Sequence, residues 1–201
     1  MRFKTELFVG IALGLILILV FGSRFLNFNY QFHGSWIDPP IPAENFELTA
    51  QDGSTFRLSD QRGSLVLMFF GYTHCPDICP STLAGYQKIQ KGMAKKSEFV
   101  RFLFITIDPE RDTPEQMASY IGFFDSSFIG LTADRIGLEP VWKAYGVYQE
   151  KQDAGSAAGY LVDHSTRIYV VDQKGNLVLT YPYGFDAGLI VDDLLYLLEG
   201  G

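Results

Sequence analysis

The chain has 201 residues, of which 47% are hydrophobic and 15% aromatic, and it carries a net charge of -7 at pH 7. That length suits one domain plus an accessory segment, and the composition suits a packed globular core. The negative balance argues against nucleic acid as a partner, because phosphate binding needs a basic face.

The N-terminus differs in kind from the rest. Leu7 to Ser23 is 17 residues without a charge. At roughly 1.5 Å per residue it reaches about 25 Å, near the short limit for a bilayer span. Arg2 and Lys4 precede it and only Arg24 follows before Asp38, so the positive-inside rule keeps the N-terminus cytoplasmic. Residues 1–24 are therefore expected to be a single-pass anchor with the domain outside the cytoplasm. A cleaved signal peptide is the rival reading, but Gly22-Ser23-Arg24 matches an A-x-A site poorly. Phe25, Phe28, Tyr30, Phe32 and Trp36 suit a membrane interface. Residues 25–40 read as a linker ending in Pro39-Pro40, with His33 solvated inside it, and residues 41–201 read as the domain.

Phe46–Thr49 and Thr55–Leu58 flank Asp52-Gly53 and read as a hairpin. Leu65–Phe70 is a continuous apolar run, as expected of a strand buried on both faces. Pro76 and Pro80 follow it. The residue before a proline avoids helical backbone, so Cys75 and Cys79 are both expected to be extended. The next helix is expected to start at Pro80, capped by Cys79, and to run to about Lys95. Val100–Ile107 is a second core strand. Thr113-Pro114-Glu115-Gln116 opens a helix with Thr as cap and Pro at the first position. Phe128–Leu131 is a short strand, Leu138–Tyr145 a helix and Lys151–Gly159 a flexible loop. Thr166–Val171 and Leu177–Tyr181 form a second hairpin, and Ala187–Leu198 closes the chain as a helix. Core strands alternating with helices imply an α/β fold, a mixed sheet with helices on its faces. Function in such sheets sits beyond the carboxyl ends of the strands.

Both cysteines of the chain lie in Thr73-His74-Cys75-Pro76-Asp77-Ile78-Cys79-Pro80. Soft thiolates at this range can hold a soft metal or trade electrons as a dithiol. A structural disulfide would close a tiny loop and stabilise weakly. His74 touches the motif, with its ring expected to point away from Cys75. His164 stands in Asp163-His164-Ser165 just before a strand. Taken alone, a His there is more often a hydrogen-bonded surface residue than a ligand.

These segments, together with Asp108-Pro109-Glu110-Arg111-Asp112-Thr113-Pro114-Glu115, resemble the Sco/SenC family in order and spacing. The resemblance covers about residues 40 to 199. It implies a membrane-anchored, thioredoxin-like (peroxiredoxin-like) copper protein that helps assemble cytochrome c oxidase. It implies Cys75, Cys79 and His164 as ligands for Cu(I) or Cu(II), and a scaffolding role for Asp108–Glu115 beside the site. It also implies delivery to the binuclear copper centre on the copper-bearing oxidase subunit, with a copper donor protein upstream. Two thiolates and one imidazole suit copper, whereas a structural zinc wants four ligands, which Asp77 or His74 would have to complete. Asp163 is a candidate to orient the His164 ring. The competing reading is a membrane-anchored thiol–disulfide oxidoreductase working through Cys75 and Cys79. Against it, thioredoxin-type redox motifs have two residues between the cysteines and this chain has three. A peroxidase ranks third. The expected location is a bacterial inner membrane with the domain in the periplasm, ahead of a mitochondrial inner membrane.

Overall fold

Leu65–Gly71 is buried along its whole length and forms the strand that organises the fold. The computed structural model describes residues 30–156 and 159–200, and Phe32 onward forms one compact unit. The strands in chain order are β1 (Ser35–Pro42), β2 (Glu47–Ala50), β3 (Thr55–Arg57), β4 (Leu65–Gly71), β5 (Val100–Thr106), β6 (Ile129–Thr132), β7 (Gln149–Ser156), β8 (Gly159–His164), β9 (Arg167–Val171) and β10 (Asn176–Pro182). The helices are α1 (Ile78–Met93), α2 (Pro114–Gly122), α3 (Arg135–Ala144) and α4 (Ala187–Leu198).

Eight strands form one sheet in the order β1-β10-β9-β4-β5-β6-β2-β3, while among the described residues β7 and β8 pair only with each other. β4 runs parallel to β5 in register from Leu65 against Val100 to Gly71 against Thr106. β5 and β6 are parallel, and β4 and β9 antiparallel, so the sheet is mixed. Neighbouring residues of β4 serve opposite faces, as the period of two requires. Phe69 packs against Phe104, whose ring in turn meets Tyr120 of α2, and Gly71 abuts Cys79 of α1. Phe70 meets Tyr145, which directly follows α3, and Tyr169 of β9 on the other side. Helices therefore cover both faces. α4 closes on α1, where Gly92 leaves room for Val191.

The helix starts follow local chemistry. Thr113 caps α2 by accepting from Gln116 N–H, with Pro114 at the first position, as expected. Asp186 caps α4 through the N–H groups of Gly188 and Leu189. The start of α1 is a correction. It begins at Ile78, two residues before Pro80, and Cys79 lies in its first turn rather than extended outside it. Proline lacks the N–H that has no intrahelical acceptor at that point, so Pro80 forfeits no helix hydrogen bond there.

Two further expectations change. Residues 35–40, placed in the linker of 25–40, belong to edge strand β1 (Ser35–Pro42), paired with β10. His33 is held as well. Buried Asp193 of α4 accepts from the His33 and Gly34 N–H groups and from Tyr181 Oη, and lies 2.8 Å from His33 Nδ1. The deciding acceptor is 160 residues away in sequence, which local composition does not reveal. Phe32 stacks on Trp36 at 4.4 Å, so these aromatics pack on one another. Of the flexible loop expected over 151–159, residues 151–156 belong to β7 and pair with β8, with Lys151 opposite Val162, and the pairing runs on to Gln149 opposite His164. These strands lack apolar alternation, so periodicity could not signal them. The expected anchor, residues 1–24, lies outside the described residues. Among the described residues no helix is long and apolar enough to cross a membrane.

Candidate metal centre

β4 delivers the cysteine segment and α1 receives it. After Gly71 the chain turns tightly, with the Cys75 N–H donating to Tyr72 C=O at 3.2 Å. The side chain of Asp77, at the cap position of α1, makes no capping bond. Cys75 serves instead: its Sγ accepts from the Cys79 N–H at 3.4 Å. First-turn N–H groups lack intrahelical acceptors, and the helix dipole favours a negative charge beside them.

Cys79 sits beneath, fully buried. Gly71 makes its place. A Cβ on Gly71 would stand 2.8 Å from Cys79 Sγ, 2.8 Å from Phe104 and 2.9 Å from Phe69. Real Cβ contacts do not come so close, so only glycine leaves room for the sulfur.

His164 ends β8 and brings its Nε2 to 3.9 Å from Cys79 Sγ. Its Nδ1 lies 2.8 Å from the Ser165 carbonyl. A carbonyl only accepts, so the neutral ring carries its proton on Nδ1 and presents the Nε2 lone pair toward the sulfurs. Edge-to-face contacts with Tyr72 at 5.9 Å and Phe69 at 6.0 Å fix the ring plane. The donor atoms of Cys75, Cys79 and His164 all lie within 4.8 Å of one another. Metal–donor bonds of roughly 2.0–2.3 Å leave ligand atoms roughly 3.5–4.6 Å apart, so the trio fits one ion. An open groove of about 420 Å³, lined among others by Ile78, Tyr148 and Leu161, leads to it.

The two thiols are unequal. The bond from Cys79, helped by the backbone of Cys79 and Asp77, pulls the Cys75 thiol down to about 4 against partial burial. Burial first, then its bond to Cys75, pushes the Cys79 thiol well up. One thiolate is thus ready before a metal arrives, and the second proton leaves only when a cation replaces it.

A buried carboxylate holds the segment in place. Asp112 accepts from Thr73 N–H, from Thr73 Oγ1 at 2.7 Å and from Thr106 Oγ1 at 2.7 Å. Burial raises its pKa, against those same bonds. The Thr132 hydroxyl donates to the Asp112 carbonyl.

His74 and Asp77 do not join the three donors. His74 is exposed, and its Nδ1 faces Thr73 Oγ1 at 3.0 Å. Asp163 does not orient His164, because the Ser165 carbonyl takes that nitrogen. Asp163 lies opposite Glu150 on the hairpin instead. Gly71 and the Ser165 carbonyl went unread in the sequence. Glycine closing an apolar run before the motif is the one signal available for the first, and a backbone acceptor leaves none.

Residues 38–199 match the SCO1/SenC family model. The chain belongs to the SCO1/SenC family. It is 35% identical over 150 residues to the mouse mitochondrial protein SCO1 homolog, a match covering 74% of this chain and 52% of that protein. It is 36% identical over 132 residues to a SCO2-like protein of Rickettsia felis, covering 65% of this chain and 64% of that one. The chain thus spans about half to two-thirds of the length of these two relatives. A solved structure, Bradyrhizobium japonicum ScoI with copper bound, is 35% identical with a TM-score of 0.72 and covers 79% of this chain and 99% of that one. The SCO1/SenC domain here has a mixed α/β, thioredoxin-like architecture, with its Cys–Cys–His group beyond the carboxyl ends of β4 and β5.

Proposed function

We propose that the chain binds copper, as Cu(I) or Cu(II), through Cys75, Cys79 and His164, and delivers it to the binuclear copper centre during cytochrome c oxidase assembly. The observation that carries this reading is the convergence of two sulfurs and one imidazole nitrogen within 4.8 Å in a SCO1/SenC domain. The donor set agrees with the cargo: thiolates favour Cu(I), and imidazole suits Cu(II). The open groove lets an acceptor reach the ion from solvent. Copper is cargo in this scheme. Residues 1–24 hold the domain to a bacterial inner membrane, N-terminus inside, and the domain works in the periplasm beside the copper-bearing oxidase subunit. A separate donor protein loads the site.

The test is His164→Ala, with Cu(I) and Cu(II) affinities and the dithiol potential measured together. Cu(II) binding collapses while the cysteines still cycle between thiol and disulfide. Unchanged copper binding with oxidase assembly intact would falsify the ligand assignment.

One observation favours a second reading, a thiol–disulfide oxidoreductase. A lowered Cys75 thiol beside a raised Cys79 thiol is the asymmetry of an attacking and a resolving cysteine. Under this reading the His164→Ala protein reduces a partner disulfide as fast as the parent. Under the copper reading, partner disulfides survive incubation with the reduced protein.

A further inference from the structure

The cysteines and His164 reach the site on different supports. Cys75 and Cys79 hang from the central sheet and α1. His164 ends a two-stranded hairpin that joins no other strand among the described residues. An isolated hairpin is marginally stable in water. Something outside the hairpin must therefore fix where His164 stands.

Tyr160, Val162 and His164 alternate along β8 and so share one face. The Val162 N–H donates to Tyr72 Oη at 3.2 Å, and the His164 ring lies on Tyr72 and Phe69. At the far end Tyr160 makes a denser set of contacts. Its hydroxyl donates to buried Asp108 at 2.6 Å, and its carbonyl accepts from Arg111 Nη1 at 3.1 Å. Arg111 is tied back to Asp108 at 2.5 Å and lies over the Tyr160 ring, with its guanidinium carbon 3.7 Å from the centroid. Arg111 Nη2 is buried with no oxygen acceptor, so the ring face stands in for one. Lys151 of β7 adds a second cation 4.5 Å from the same ring and pairs with Glu110 at 2.6 Å. Every one of the partners of Tyr160 and Lys151 outside the hairpin lies in Asp108–Asp112. Asp112, at the other end of that stretch, holds Thr73 of the cysteine segment.

We infer that Asp108–Asp112 is a bracket that sets the distance from His164 to the sulfurs, with Tyr160 and Arg111 as its positioning residues. The copper affinities below rest on the copper reading, but the placement of the ring does not. Five residues hold the cysteine arm by one carboxylate and the histidine arm by a tyrosine–arginine stack. Loosening the stack frees the hairpin and His164 with it, while the two sulfurs stay.

The test combines Tyr160→Ala, Tyr160→Phe and His164→Ala in the full-length protein. In the metal-free protein, nuclear Overhauser contacts between the His164 and Phe69 rings are lost in Tyr160→Ala and kept in Tyr160→Phe, which retains the cation stack. With Cu(II) as probe, Tyr160→Ala weakens binding about tenfold or more, the usual scale for outer partners of a ligand. Added to His164→Ala, it weakens binding less than about twofold, because the ring it positioned is gone. Two results overturn the bracket. One is ring contacts that persist in Tyr160→Ala. The other is an equal loss of Cu(II) affinity with and without His164, which marks general destabilisation. If Tyr160→Ala does not fold, Arg111→Gln takes its place with the same readouts. A parent protein that fails to bind copper, with its ring contacts behaving as stated, overturns the copper reading and leaves the bracket standing.

Discussion

The cysteine arm and the histidine arm of the site are built by different means. The cysteine arm is continuous with the most buried strand of the molecule, and its geometry is local. Gly71 makes space, Tyr72 turns the chain, and Cys75 caps the helix that holds Cys79. The histidine arm is a surface hairpin 85 residues further on, fastened by polar and cation–π contacts. The first arm is fixed when the core packs. The second depends on contacts worth about 0.5–2 kcal/mol each. The sulfurs therefore stand on the packed core, and the imidazole stands on contacts that single substitutions remove.

The sharpest separation of the arms is chemical. With its thiol near 4, Cys75 in the metal-free protein alkylates at nearly the same rate at pH 6 and pH 8, where an ordinary cysteine of pKa about 8.5 speeds up roughly a hundredfold, while buried Cys79 stays unmodified. Mass spectrometry after a timed iodoacetamide pulse reads this. An ordinary pH profile at Cys75 breaks the picture of a preformed thiolate. The same shift makes stability depend on pH. A thiol lowered on folding contributes fully above its unfolded pKa of about 8.5, and the contribution declines as pH falls and is gone near 4. Cys75→Ser should flatten that slope in urea titrations across this window.

Cutting the bracket on the cysteine side comes next. Asp112→Ala strands the Thr73 N–H and the hydroxyls of Thr73 and Thr106 in a buried place. At about 1–3 kcal/mol for each buried orphan, a loss of about 3 kcal/mol or more is expected in denaturant unfolding. A loss below about 1 kcal/mol means that water or another group satisfies these donors. Gly71→Ala is milder. Overpacking costs about 1–3 kcal/mol, and here the added methyl pushes directly on Cys79 Sγ. Both the unfolding midpoint and Cu(I) affinity should fall, and a fall in stability alone shows that Phe69 and Phe104 gave way instead. The smallest effect belongs to Asp163→Asn. Ser165 already orients His164, so Cu(II) affinity should stay within about twofold and stability within about 0.5 kcal/mol. A larger loss of affinity returns Asp163 to the site.

The sequence by itself determined much of this protein. The run Leu65–Phe70 read as a doubly buried strand, and Thr113-Pro114 declared its helix through a cap and a first-position proline. Two cysteines beside two prolines located one end of the site. Adding His164 took the family resemblance, because composition and spacing do not bring a residue across 85 positions. Tertiary structure decided the remainder. It moved the start of α1 to Ile78, because burying Cys79 outweighs the bias that Pro80 places on its neighbour. It made a strand of residues read as linker, because the pairing edge of β10 is remote in sequence. It made a hairpin of Gln149–Ser156 and Gly159–His164, whose polar residues gain their order from Tyr160, Arg111 and Asp108 rather than from their own pattern. Local rules read what neighbouring residues impose on one another. The imidazole of this site is placed by contacts between residues some 50 positions apart, and only the folded chain brings those together.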